Sequence, residues 1–121
     1  MKNINLQLYK GLKEEIRDSK SKILILKGDD IIRFTIDEVK TLMTILQNDP
    51  DYLRGTLVIA KEVNKSTAAL AVLGNIKEIY ADMISEHAVK LLDSYHIKFK
   101  YRQTILFLKV KQRRVTILLN F

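Results

Sequence analysis

Between Thr56 and Tyr101 the chain alternates apolar runs of strand length with patterns of helix length, and no other feature restricts its fold so strongly. TLVIA (Thr56 to Ala60) is short and almost wholly apolar, and NKSTAALAVLG (Asn64 to Gly74) has the length of a helix and a closing glycine. KEIYAD (Lys77 to Asp82) is a second strand, SEHAVKLLDSY (Ser85 to Tyr95) a second helix, and IKFKY (Ile97 to Tyr101) a third strand. Strands joined through helices of about ten residues form a parallel sheet, because a parallel connection needs a crossover and that crossover is right-handed. Ligands of such sheets bind beyond the carboxyl ends of the strands, where the helices begin. The sequence therefore places a site at the helix starts, Asn64–Thr67 and Ser85–Ala88.

The segments before Thr56 complete the sheet. Ile4, Leu8, Leu12 and Ile16 recur every four residues, which predicts a helix from about Asn3 to Asp18 with one apolar stripe, ended by polar Ser19–Ser21. KILILK (Lys22 to Lys27) reads as a buried strand, and Gly28-Asp29-Asp30 supplies a turn into IIRFT (Ile31 to Thr35) at hairpin distance. Thr35 and Glu38 have the spacing of a capping box, with Asp37 as the alternative cap. Val39, Leu42, Met43 and Leu46 then form a helical face that stops at Asn48-Asp49-Pro50. Two apolar runs close the chain, TILFLKV (Thr104 to Val110) and VTILLNF (Val115 to Phe121), separated by basic KQRR. A helix, a hairpin and then β-α units imply one domain over residues 1–121: a three-layer α/β/α sandwich with a mixed sheet. Residues Ala68 to Leu73 are apolar all round, so their helix is expected to be central and buried on most sides.

Composition narrows the function classes. The longest apolar run is six residues, Ala68 to Leu73, too short to span a membrane, and MKNINLQLYKG lacks the apolar core of a secretory signal. With no cysteine, disulfides, thiolate zinc sites and thiol nucleophiles are excluded. A cytoplasmic protein is the simplest expectation. The net charge of +7 lies entirely in residues 94–121, which hold Lys98, Lys100, Arg102, Lys109, Lys111, Arg113 and Arg114 and no acid. The other fourteen cations balance the fourteen acids. Such asymmetry is the footprint of a polyanionic partner, here a nucleic acid, and equally the solvated face of strands guarded against aggregation. Phe99 and Tyr101 alternate with those cations, so on a strand the rings share one face and the charges the other. VTILLNF must be buried in its own sheet or against another subunit, which makes a homo-oligomer, most simply a dimer, an expectation.

The ordered run Asn64-Lys65-Ser66-Thr67-Ala68-Ala69-Leu70-Ala71-Val72-Leu73-Gly74, Lys77-Glu78-Ile79-Tyr80-Ala81, Ile84-Ser85-Glu86, Leu91-Leu92 and Ile97 resembles a prokaryotic family known as domain of unknown function 1893. The family's pattern looks like G-K-A-A-A-L-L-A-V-x-G, then K-E-V-Y-A, then I-S-E. The likeness is strongest over the middle forty or so residues, and it implies a cytidine-deaminase-like fold. Asn64 stands where the family pattern has glycine, and His87 where it often has proline. The Asn-Arg…Cys-Pro ending of the family is replaced by Val115 to Phe121, so chemistry attached to that ending does not carry over.

A zinc deaminase of that fold needs a His or Cys with a nearby Glu at one helix start and two Cys at the next. The corresponding starts here read Asn64-Lys65-Ser66-Thr67 and Ser85-Glu86-His87-Ala88, with His87 the one good ligand among them. No metal, cofactor or catalytic residue is therefore assigned, and zinc-dependent deamination is not expected. Lys65, Ser66 and Thr67 offer a cation, two hydroxyls and first-turn N–H groups, the makeup of a site for a small anion such as a nucleotide. The plain alternative is that Asn64 or Ser66 caps one helix and Ser85 the other, with Glu86 favoured by the dipole. His96 after Tyr95 suits a left-handed helix ending.

Overall fold

The computed structural model describes residues 5–105, which form nine elements. In chain order they are α1 (Leu6–Asp18), β1 (Ile23–Lys27), β2 (Asp30–Phe34), α2 (Glu38–Asn48), β3 (Leu57–Val63), α3 (Lys65–Leu73), β4 (Glu78–Ser85), α4 (Glu86–Ser94) and β5 (Lys98–Ile105). The strands make one sheet in the order β2-β1-β3-β4-β5. β1 is antiparallel to both β2 and β3, while β3, β4 and β5 run parallel. This is the mixed sheet that the hairpin and the β-α repeats predict. VTILLNF and the basic residues Lys109, Lys111, Arg113 and Arg114 lie outside the described residues. Among the described residues, no helix is long and apolar enough to cross a membrane.

Two cores flank the sheet. On one face Ile23, Ile25, Val58, Ala60, Ile79 and Ala81 meet Leu42 of α2, Ala68 and Ala71 of α3, and Ala88 and Leu92 of α4. On the other, Leu24, Leu26, Leu57, Ile59 and Tyr80 meet Tyr9, Leu12 and Ile16 of α1. The three helices of the first face lie side by side, α3 between α2 and α4. α3 is thus central, but its burial is one-sided: Thr67, Ala68 and Ala71 are buried and Leu73 is 70% exposed. An apolar circumference here reflects small residues against the sheet and tolerated exposure elsewhere.

The helix faces differ from the spacing expected. α1 buries Tyr9, Leu12 and Ile16, while Leu8 is exposed and Ile4 precedes the described residues. α2 buries Glu38, Thr41 and Leu42, with Ile45 and Leu46 packed on the core and Met43 exposed. In both, an apolar residue at three- or four-residue spacing fits either of two adjacent stripes, and packing on the sheet decides between them. The parallel strands also run further than their apolar runs: β3 to Val63, β4 to Ser85 and β5 to Ile105.

Helices α3 and α4 end alike. Asn75 (φ 55) and His96 (φ 59) take the left-handed conformation. The N–H groups of Ile76 and Ile97 donate to Ala71 and Leu92, and those of Asn75 and His96 donate to Val72 and Asp93. These are paired Schellman endings. Gly74 closes α3 without a left-handed angle, and close approach makes it necessary, since a Cβ there would stand 2.9 Å from Leu53 Cδ1. In the hairpin Gly28 does take a positive φ, 61°.

One buried side-chain polar atom among the described residues lacks a hydrogen bond, the Tyr9 hydroxyl. Burial, then the Glu78 carboxylate and the Tyr80 phenol, push its pKa up to about 12. A buried hydroxyl without a partner contributes nothing to offset its lost hydration. Tyr9→Phe is expected to leave stability unchanged or raise it by up to about 1 kcal/mol, whereas Ile16→Ala costs about 2–5 kcal/mol. Urea unfolding measures both, and a Tyr9→Phe loss above about 1 kcal/mol would assign the hydroxyl a native partner.

Candidate functional site

Three helix N-termini meet at one end of the sheet. The pairing of Ile23 with both Phe34 and Ala60 puts the end of β2, and hence the start of α2, at the carboxyl end of β3. There α3 follows β3 across Asn64 alone, and α4 follows β4 directly. Parallel helices on one face direct the positive ends of their dipoles at this edge.

At α3 the Asn64 side chain caps the helix, its Oδ1 accepting from Thr67 N at 2.9 Å and from Thr67 Oγ1 at 3.0 Å. Thr67 is thereby buried and engaged. Lys65 and Ser66 are exposed, and their N–H groups are among those a helix start leaves without intrahelical acceptors. At α4 the buried Ser85 is the cap, its Oγ accepting from Ala88 N at 3.1 Å. Glu86 and His87 are exposed in the first turn. Of the seven positions singled out in sequence, Asn64 and Ser85 therefore cap, Thr67 donates to the Asn64 cap, and Lys65, Ser66, Glu86 and His87 face solvent. The structure brings the two groups to adjacent strand ends, since β3 and β4 pair through Val63 and Ile84.

Glu38 was not legible as part of this edge. Asp37 is the α2 cap, its Oδ2 accepting from Lys40 N at 3.0 Å, so the Thr35–Glu38 capping box does not form. Glu38 is buried at 8% exposure, and its Oε2 accepts from Glu62 N, at 2.8 Å, near the end of β3. Burial pushes the carboxyl pKa up, and N–H donors at Glu38 and Glu62 pull it partly back. The carboxylates of Glu62 and Asp37 raise it again. The edge thus combines a lysine and an imidazole with the carboxylates of Glu38 and Glu86. Among the described residues no group of three or more His, Cys, Asp and Glu side chains is placed to hold a metal ion.

The basic residues of β5 sit elsewhere in the sheet and are partly neutralised. Arg102 makes a two-pronged ion pair with Asp82, at 2.7 and 3.2 Å, and Lys98 lies 3.7 Å from Glu78. Those partners follow from the β4–β5 register, which sequence alone does not fix. Phe99 packs on the core, whereas Tyr101, stacked near it at 6.3 Å, is 44% exposed.

The family model for a domain of unknown function, DUF1893, matches residues 11–116. A DUF1893 family protein from Thermotoga maritima, TM1506, shares 25% identity with this chain. Its crystal structure superposes with a TM-score of 0.75 over 90% of this chain and 74% of that one. A dCMP deaminase from the cyanophage S-TIM5, in apo form, superposes with a TM-score of 0.62 at 8% identity. That match covers 81% of this chain and 99% of the deaminase, and it shows the fold. No curated protein matches the chain.

Glu38 yields a pH-dependent prediction. Its carboxyl is raised in the folded state, so its favourable share of stability is complete below the unfolded carboxyl pKa, near 4.3, and is lost as pH rises through the folded value. Glu38→Gln keeps an oxygen for Glu62 N and removes the charge. It is expected to exceed wild type in stability at pH 7, with the difference disappearing near pH 4. Chemical denaturation at both pH values tests this, and a variant weaker than wild type at pH 7 contradicts it.

Proposed function

The chain belongs to the DUF1893 family, and from that premise we propose that it binds a small anionic ligand, such as a nucleotide, at the starts of α3 and α4 near Lys65 and Ser85. One observation supports this most: two adjacent parallel strands each deliver a capped helix start to the same end of the sheet, with Lys65 and Ser66 left outward. Free first-turn N–H groups, an aligned dipole and a lysine form an anion-binding set. The crevice beyond the carboxyl ends of an open α/β sheet is where such ligands bind.

The exposed Glu86, in the first turn of neighbouring α4, refines the ligand's chemistry. Carboxylates beside an anion site repel a second negative charge and accept hydrogen bonds. A ligand that suits this edge carries an anionic group for Lys65 and Ser66 and a neutral donor, amino or hydroxyl, for the exposed Glu86. A nucleotide has that division, while a bare polyphosphate lacks it. Deaminase chemistry is not part of this proposal. The zinc deaminase set of one His or Cys, two further Cys and a Glu has no counterpart at Asn64–Thr67 or Ser85–Ala88, and a shared fold carries no shared reaction.

A thermal-shift series with nucleoside monophosphates, diphosphates and inorganic phosphate tests the proposal. A ligand held at a hundred times its Kd stabilises by about 2.7 kcal/mol, several degrees for a domain of this size. Lys65→Ala is expected to remove most of that shift while leaving the unliganded melting temperature within a degree or so of wild type. Equal shifts in wild type and variant, or none in either, contradict it.

A further inference from the structure

The face of the sheet opposite α2, α3 and α4 carries a separate cationic surface. There α1 covers β1, β3 and β4, and among the described residues β5 forms the sheet margin beyond it. The β4–β5 register sets Lys98 beside Glu78 and Lys100 beside Tyr80, and Arg102 reaches Asp82. Lys13 of α1 leans over the same place, its Nζ 4.7 Å from the Tyr9 ring centre and 5.4 Å from that of Tyr80. Lys100 Nζ is 5.9 Å from the Tyr9 ring. Arg17, one turn further along α1 on the same side of the helix as Lys13, is exposed.

Signs are layered on this face. Asp82 and Glu78 lie beneath, with side chains 7% and 16% exposed, while their partners Arg102 and Lys98 are 43% and 65% exposed. What reaches solvent is a row of cations, Lys98, Lys100 and Arg102, about 6.6 Å apart along the strand. Lys13 and Arg17 flank it from α1. Among the described residues, the one acid paired with this flank is Asp18, on Arg17 at 3.3 Å.

We propose that this face, between α1 and β5, docks single-stranded nucleic acid through its phosphodiester backbone. The row is one strand wide, and α1 bounds it on one side, which suits a single extended polyanion. Grooves of this kind track a backbone with evenly spaced cations. Tyr9 and Tyr80 are buried at 8% and 6% exposure, so no base stacks on them and binding is indifferent to sequence. Charge complementarity disfavours the chain's own terminus and a second copy as occupants. Residues 94–121 contain seven cations and no acid, and the whole chain carries +7. The surface is independent of the helix starts, which belong to the other face.

Fluorescence anisotropy of the full chain with labelled single-stranded oligonucleotides tests this. Affinity is expected to fall with salt at a log–log slope of about −0.7 per phosphate contacted, near −2 for three contacts, and to be equal for oligo-dT and oligo-dA. Lys13→Glu with Lys100→Glu is expected to weaken binding roughly tenfold or more at about 50 mM salt. Among the described residues neither lysine is ion-paired, and Lys13→Gln with Lys100→Gln supplies a gentler pair should the first fail to fold. Lys40→Glu with Lys90→Glu, equal in charge but on exposed positions of α2 and α4, is expected to leave affinity within about twofold, since screening weakens distant charges. Equal loss in both pairs overturns the proposal, as does absence of binding at about 50 mM salt. Loss confined to reversal of Lys109 and Lys111, or competition by polyglutamate as effective as unlabelled oligonucleotide, also overturns it.

Discussion

Methyl-sized packing between the central parallel strands and their helices governs the arrangement of everything else. Ala60 and Ala81 are register partners on β3 and β4, both fully buried. Against them, in the same core, stand Ala68 and Ala71 of α3 and Ala88 of α4, none more than 1% exposed. Alanine on both sides of a helix–sheet contact lets the helix axis approach closely, and a close-packed interior has no slack for larger groups. Gly74 extends the same constraint to the end of α3, where Leu53 occupies the space a Cβ would take.

Close seating of α3 and α4 fixes where they begin. Each leaves its strand with one cap residue and no loop, so the helix starts stand level with the strand ends. The start of α2 is drawn to the same edge by the hairpin and fastened there by Glu38 on Glu62 N. Three dipoles pointing one way need compensation, and Asp37 and Glu86 provide it. That compensation is incomplete at α3, which has no acid in its first turn and presents Lys65 and Ser66. The asymmetry is what singles out the α3 start among the three.

The β-α-β-α-β succession was readable because strands buried on both faces must be continuous apolar runs, as in Leu57–Ala60 and Ile79–Ala81. The caps Asn64 and Ser85 and the left-handed His96 were readable because each depends on a few neighbouring residues. Glu38 was not, since its partner lies 24 residues away and meets it through the sheet order. Asp82 beneath Arg102 depends likewise on the β4–β5 register. The extra length of β3 and β4, through Lys61, Glu62 and Met83, lies in mixed residues whose strand conformation comes from pairing rather than pattern. Tyr9 instead of Leu8 on the buried stripe of α1 was settled by Tyr80, whose ring meets it edge-on at 6.0 Å.

The role of the alanine layer is tested most directly by two substitutions one residue apart on α3, Ala68→Leu and Ala69→Leu, compared by urea unfolding. Helix propensity changes equally in both, so the difference isolates packing on the sheet. Ala68, fully buried, is expected to lose about 1–3 kcal/mol, and Ala69, half-buried beside it, to change by less than about 0.5 kcal/mol. Equal costs at the two positions, or tolerance of leucine at Ala68, would contradict the claim that methyl-sized contacts hold the helix starts in place.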